Sequence, residues 1–168
     1  MTKEDKELLL RDLCARLPYR PIIHVEDYTN DEKLLDMYDW NLLDVVYFQD
    51  KLELSIKPNW DNYRTVKLGY RNYIIKPYLR PMSSMTEEEK EELLNLLFDK
   101  EFRNFYIDEE GFIDGKTSDL MKNGLNYPSF CPINIVLYMD WLNAHHFDYR
   151  GLIEKGLALE TPEGMYKI

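Results

Sequence analysis

One junction constrains this chain more than any other stretch. Ile74-Ile-Lys-Pro-Tyr-Leu-Arg-Pro is an extended, aromatic-bearing run that ends at Pro81. Met82 to Met85 link it to Thr86-Glu-Glu-Glu, where Thr86 as N-cap and Glu89 three residues on form a capping box, each side chain satisfying the other's backbone N–H. Before the junction the pattern is that of strands; after it, mostly that of helices. The class predicted is α+β: a small, mostly antiparallel sheet in the N-terminal half, packed with about four helices, then a C-terminal helical pair and a short hairpin. A chain of 168 residues fits one domain over 1–168, with an N-terminal helix at 2–17, a strand-rich part at 19–81 and a helical part at 86–168.

In the N-terminal helix, Leu9, Leu10, Leu13, Cys14 and Leu17 recur at three- and four-residue steps, Thr2 caps the start and Pro18 stops it. Cys14 is expected to be a small buried side chain within that stripe. Thr2–Leu13 matches Thr86–Leu97 at seven of twelve positions, which common helix-forming residues explain without a duplication. Pro21 to Glu26 reads as a strand and Tyr28 to Glu32 as a turn; Lys33 to Trp40 fits a strand or a helical turn equally. Leu42 to Phe48 is β-rich, and Leu52, Leu54 and Ile56 alternate with Glu53 and Ser55 as in a half-buried antiparallel strand. Val66 to Tyr70 and Asn72 to Tyr78 add one or two strands.

Beyond the second helix, Phe102 to Ile107 and Phe112-Ile113 flank the turn Asp108-Glu-Glu-Gly, a short hairpin. Its acids do not make a calcium loop, because the sixth residue from Asp108 is Ile113 and the twelfth is Asp119. Pro132 opens a helix whose apolar side is Ile133, Val136, Leu137, Trp141 and Ala144, with Asp140 among them. Asp148 is placed to cap a short helix from Tyr149 to Lys155, closed by Gly156, and Leu157–Glu160 with Met165–Ile168 forms the final hairpin. Helix, turn, helix, hairpin is also the outline of a winged helix, but Leu152 to Glu160 carries only Lys155 as a cation, a poor match to DNA.

The net charge is −10, which repels phosphate backbones and argues against general nucleic-acid binding. Two cysteines, Cys14 and Cys131, make neither a metal motif nor a disulfide framework. Thr2 to Glu7 is charged, unlike a signal peptide, and no apolar run reaches membrane-span length, so a cytoplasmic protein without a membrane partner is expected. There is no glycine-rich phosphate loop, no Gly-x-Ser-x-Gly and no Cys/His pair with an orienting acid. No cofactor is expected and catalysis is not favoured.

Two clusters could carry binding chemistry. Tyr63, Arg64, Arg71, Tyr78 and Arg80 belong to the one basic, Tyr-rich segment, over 63–80. Arg and Tyr together stack on bases and grip phosphates, so a nucleotide or small anion is one ligand class; the alternative is an outer sheet face whose cations discourage edge pairing. His145, His146 and Asp148, with His24 from elsewhere, are the best metal-like set, against the plainer reading of two histidines ending a helix. The 13 tyrosines fit a recognition face as well as a core edge.

Three stretches also carry a resemblance: Lys6-Glu-Leu-Leu-Leu-Arg-Asp-Leu-Cys-Ala-Arg-Leu-Pro-Tyr19, Tyr78-Leu-Arg-Pro-Met-Ser-Ser-Met-Thr-Glu-Glu-Glu-Lys90, and Phe147 to Tyr166. Together they resemble a family of small uncharacterised proteins encoded by prophages and mobile elements of gut bacteria. That family's opening helix runs into a Gly-Val-Lys-like strand, from which Arg20-Pro21-Ile22-Ile23 departs. The resemblance implies no activity. It implies context, a phage or mobile-element protein in a bacterial cytoplasm. By analogy with other small acidic proteins of such elements, it points to a non-catalytic protein that binds and inhibits a host protein through an acidic, Tyr-rich surface.

Overall fold

Thr2 and Asp5 close a capping box in the computed structural model of this chain: Asp5 N–H donates to the Thr2 hydroxyl at 3.1 Å and Thr2 N–H donates to the Asp5 carboxylate at 2.9 Å. The structure describes residues 1–29, 31–48, 51–57, 64–68, 73–97, 105–111, 113–115 and 132–166. From this cap α1 (Lys3–Arg16) runs into a single 3-10 turn, Leu17–Tyr19. The strands follow as β1 (Ile22–Tyr28), β2 (Leu34–Phe48), β3 (Lys51–Lys57), β4 (Arg64–Leu68) and β5 (Tyr73–Leu79). Then come α2 (Glu87–Leu97), β6 (Phe105–Ile107), β7 (Ile113–Gly115), α3 (Pro132–Ala144) and β8 (Leu159–Glu160). The class is α+β.

The first five strands are an antiparallel meander whose last strand returns to pair with the first, giving the order β4-β3-β2-β1-β5-β8. β2 takes up both Leu34–Trp40, all but the first residue of the stretch ambiguous in sequence, and the β-rich Leu42–Phe48. Its first half pairs with β1 and its second with β3, and the register shifts between Leu42 and Asp44 where it changes partner. Such a bulge bends the strand and increases its twist.

The chain divides into two compact units, 1–79 with 150–168, and 80–149. In the first unit Leu9 and Leu13 of α1 are fully buried with Ile23, Val25 and Leu42 of the sheet. Each such side chain is worth about 1.5–3 kcal/mol of burial. A second cluster joins Leu79 to Leu152, Leu157 and Ala158. In the second unit Leu93 and Leu97 of α2 pack with Met82, Met85, Ile107, Trp141, Leu142 and Phe147. The hairpin expected around Asp108–Gly111 is present as β6 and β7.

Four expectations are corrected. Among the described residues there are three α-helices, not about four: residues 149–155, expected to be helical, form turns, because Gly151 in their midst takes a left-handed φ of 67°. Among the described residues Met165 and Tyr166 form a bend, not a strand paired with Leu157–Glu160, so neither the expected final hairpin nor its winged outline is seen there. Leu159–Glu160 instead joins β5 in parallel, which makes the sheet mixed, and the Tyr166 hydroxyl accepts from Ile22 N–H at 2.9 Å and donates to the Tyr78 carbonyl at 3.1 Å. Cys14 is exposed, since the buried stripe of α1 runs through Leu9, Asp12, Leu13 and Arg16. On α3, Val136 and Leu137 are exposed at 66% and 37%, as is Asp140; burial falls on Trp141, Leu142 and Asn143, beside the core cluster.

Candidate functional site

Strand alternation sorts β1 into two faces. Ile23 and Val25 point to the core at 0% exposure, so His24, Glu26 and Tyr28 project from the opposite side. Antiparallel pairing with β2 and β5 then sets two rows across three strands: Asp39, His24 and Lys76 in one, Met37, Glu26 and Ile74 in the next. A register shift at the end of β1 places Leu34 opposite Tyr28. Four large apolar side chains of β2 and β5 stay open to solvent, Leu34 (46%), Leu35 (63%), Met37 (55%) and Ile74 (41%). They stand beside a chain of polar contacts.

That chain begins at Tyr78, whose ring edge meets His24 at 6.0 Å between centroids. Burial, the negative charge of Asp39 and a hydrogen bond to it all push the Tyr78 hydroxyl above the usual tyrosine range. Asp39 Oδ1 lies 2.6 Å from His24 Nδ1, and His24 Nε2 is 3.4 Å from Glu26 Oε1. The Tyr28 hydroxyl donates to Glu26, and that hydrogen bond, then burial and the glutamate charge, raise its pKa. Both imidazole nitrogens thus face carboxylates. The face offers carboxylate acceptors, tyrosine rings and exposed methylenes, which is binding chemistry.

The residues singled out in the sequence are distributed as follows. Tyr78 and His24, assigned to different candidate sites, meet on this outer face. Tyr63, Arg71 and the side chain of Arg64 lie outside the described residues, as does Cys131. Arg80 is committed within its own unit: its guanidinium donates to both oxygens of Glu89 at 2.6 and 2.8 Å and to the Ser84 carbonyl at 3.3 Å, and it lies 4.3 Å over the Phe147 ring. Its backbone N–H donates to the His146 carbonyl and its own carbonyl accepts from Asp148 N–H, at 2.8 and 2.7 Å. Glu89 closes the capping box with Thr86, as expected. Burial alone would raise its pKa, but Arg80, the Thr86 N–H and the charge of His145 together hold it below the usual range.

His24 belongs to the first unit and His145, His146 and Asp148 to the second. His145 stacks on Trp141 with ring centroids 3.9 Å apart, and His146 is buried with a left-handed φ of 59°, so the pair does end α3. Asp148 is buried at 8% exposure. Among the described residues no group of three or more His, Cys, Asp or Glu is arranged to hold a metal ion. Glu26, Asp39, Met37 and Ile74 were not singled out in the sequence; the alternation Ile-His-Val-Glu at 23–26 was the available signal for the first, while the others needed the strand register. Compared with known families, curated proteins and solved structures, the chain matches none.

Proposed function

We propose that this chain is a non-catalytic interaction protein of a phage or mobile element, acting in the bacterial cytoplasm, which binds and inhibits a host protein through an acidic, tyrosine-bearing surface. The observation that supports the reading is the outer face of β1, β2 and β5. It sets exposed Leu34, Leu35, Met37 and Ile74 beside Glu26, Asp39, Tyr28 and Tyr78. Exposed apolar side chains clustered with tyrosines and ringed by polar groups are the usual composition of a recognition surface. Among the described residues no helix is long and apolar enough to cross a membrane, which agrees with a partner other than the bilayer interior. A nucleotide-binding reading of 63–80 has less support, because the Arg80 guanidinium is engaged by Glu89.

The test uses the chain purified gently from a bacterium that carries it, beside a Tyr28→Ala/Tyr78→Ala variant with matched thermal unfolding. A stoichiometric protein partner that the variant loses supports the reading. A partner that both chains retain equally, or a released nucleotide in place of a protein, contradicts it.

A further inference from the structure

We infer that the partner segment received by this face is basic, and that it sets a Lys or Arg side chain on Glu26 between Met37 and Ile74. The inference rests on the interaction reading above and names the chemistry of its partner. Glu26 is the middle residue of the row Met37–Glu26–Ile74, so a carboxylate stands between two side chains that are 55% and 41% exposed. An arginine or lysine is built for such a row: its methylenes lie along apolar surface while its cationic head reaches the acid. Glu26 already takes contacts from Tyr28 and His24. A carboxylate has about four lone-pair positions, so it can accept further hydrogen bonds.

Charge selects among occupants. The chain carries −10, which draws a basic segment and repels an acidic one, a phosphate backbone or a second copy of itself. Lys76 stands in the neighbouring row, opposite His24 and not opposite Glu26. A partner cation therefore meets Glu26 with Met37 and Ile74 as its immediate cross-strand neighbours, and Asp39 lies one row away.

The experiment titrates the full isotope-labelled chain with a short synthetic peptide alternating leucine and arginine, and with its glutamine and glutamate counterparts, following amide shifts by NMR. The arginine peptide is expected to bind tightest, with shifts concentrated in 22–28, 34–41 and 73–79. Glu26→Gln should weaken it about tenfold or more, the size of a charge-assisted hydrogen bond. Glu88→Gln, at an exposed position of α2, changes net charge equally and should weaken it less than about twofold. Met37→Ala, which removes one apolar side of the row and leaves Glu26 in place, serves as a second variant should Glu26→Gln disturb the fold, and should weaken the arginine peptide more than Glu88→Gln does; no more weakening than that would overturn the inference. Equal weakening by the Glu26 and Glu88 changes would reduce the effect to overall charge and overturn the inference. If the glutamine peptide binds this face as tightly as the arginine one, the inference falls while the interaction reading stands. Shifts confined to other segments, or no binding by the arginine peptide, overturn the inference as well, and shifts elsewhere also remove the face from the interaction reading.

Discussion

At the scale of single residues, the least expected feature is an ion pair on the inward side of α1. Asp12 and Arg16 are both at 0% exposure; Arg16 donates to the two Asp12 oxygens at 2.8 and 3.0 Å, and Arg150 Nε lies 3.6 Å from Asp12. The i, i+4 spacing is ordinary on a helix surface, and from sequence alone it reads as a solvated pair. Burial changes its meaning. Desolvating two charges offsets much of their attraction, so the pair adds little net stability, yet losing one partner strands a charge in the core. Asp12→Ala should cost about 3–5 kcal/mol. The double change Asp12→Leu/Arg16→Met should cost clearly less than that single change. Urea unfolding of the three chains checks this; equal losses for the single and double variants would contradict it. The same contrast explains why Cys14 was misplaced in the apolar stripe, while Leu10 packs against the core as expected: a salt bridge occupies positions that a hydrophobic count assigns to solvent.

Elements were legible in proportion to how local their determinants are. The capping boxes at Thr2 and Thr86, the strands β1 and β3, and the hairpin of β6 and β7 each rest on residues a few positions apart. Thr2–Leu13 and Thr86–Leu97, alike in sequence, bury equivalent leucines, Leu9 and Leu13 in one and Leu93 and Leu97 in the other. What was not legible depends on distant partners. The continuity of β2 is set by pairing with β1 and β3 in turn, and the parallel placement of Leu159–Glu160 is set by β5. Arg80 looked like a ligand-binding cation because nothing local announces its engagement with Glu89, nine residues on. The β6–β7 turn makes one such distant contact. Gly111 has φ of 87°, and a Cβ there would sit 2.5 Å from the Met82 carbonyl oxygen, whereas at Gly156 a Cβ meets nothing within 4 Å. Gly156→Ala should cost about 1 kcal/mol, the strain of a left-handed alanine. Gly111→Ala adds a backbone clash and should cost about 3 kcal/mol or more. Thermal unfolding of both variants decides; equal shifts would mean that the Met82 contact is not made.

At the scale of the whole molecule, net charge of −10 was available from composition, and it already disfavoured nucleic acid. The place where that charge meets exposed apolar side chains was not, since Glu26, Met37 and Ile74 are scattered in sequence and become neighbours only through the register of three strands. The proposed binding surface is this outer face. Hydrogen exchange of the full chain, alone and with the protein partner that co-purifies with it, locates the surface that the partner covers. Exchange is expected to slow in 22–28, 34–41 and 73–79 on complex formation. Unchanged exchange in those strands, with protection gained in 80–149 instead, would contradict it.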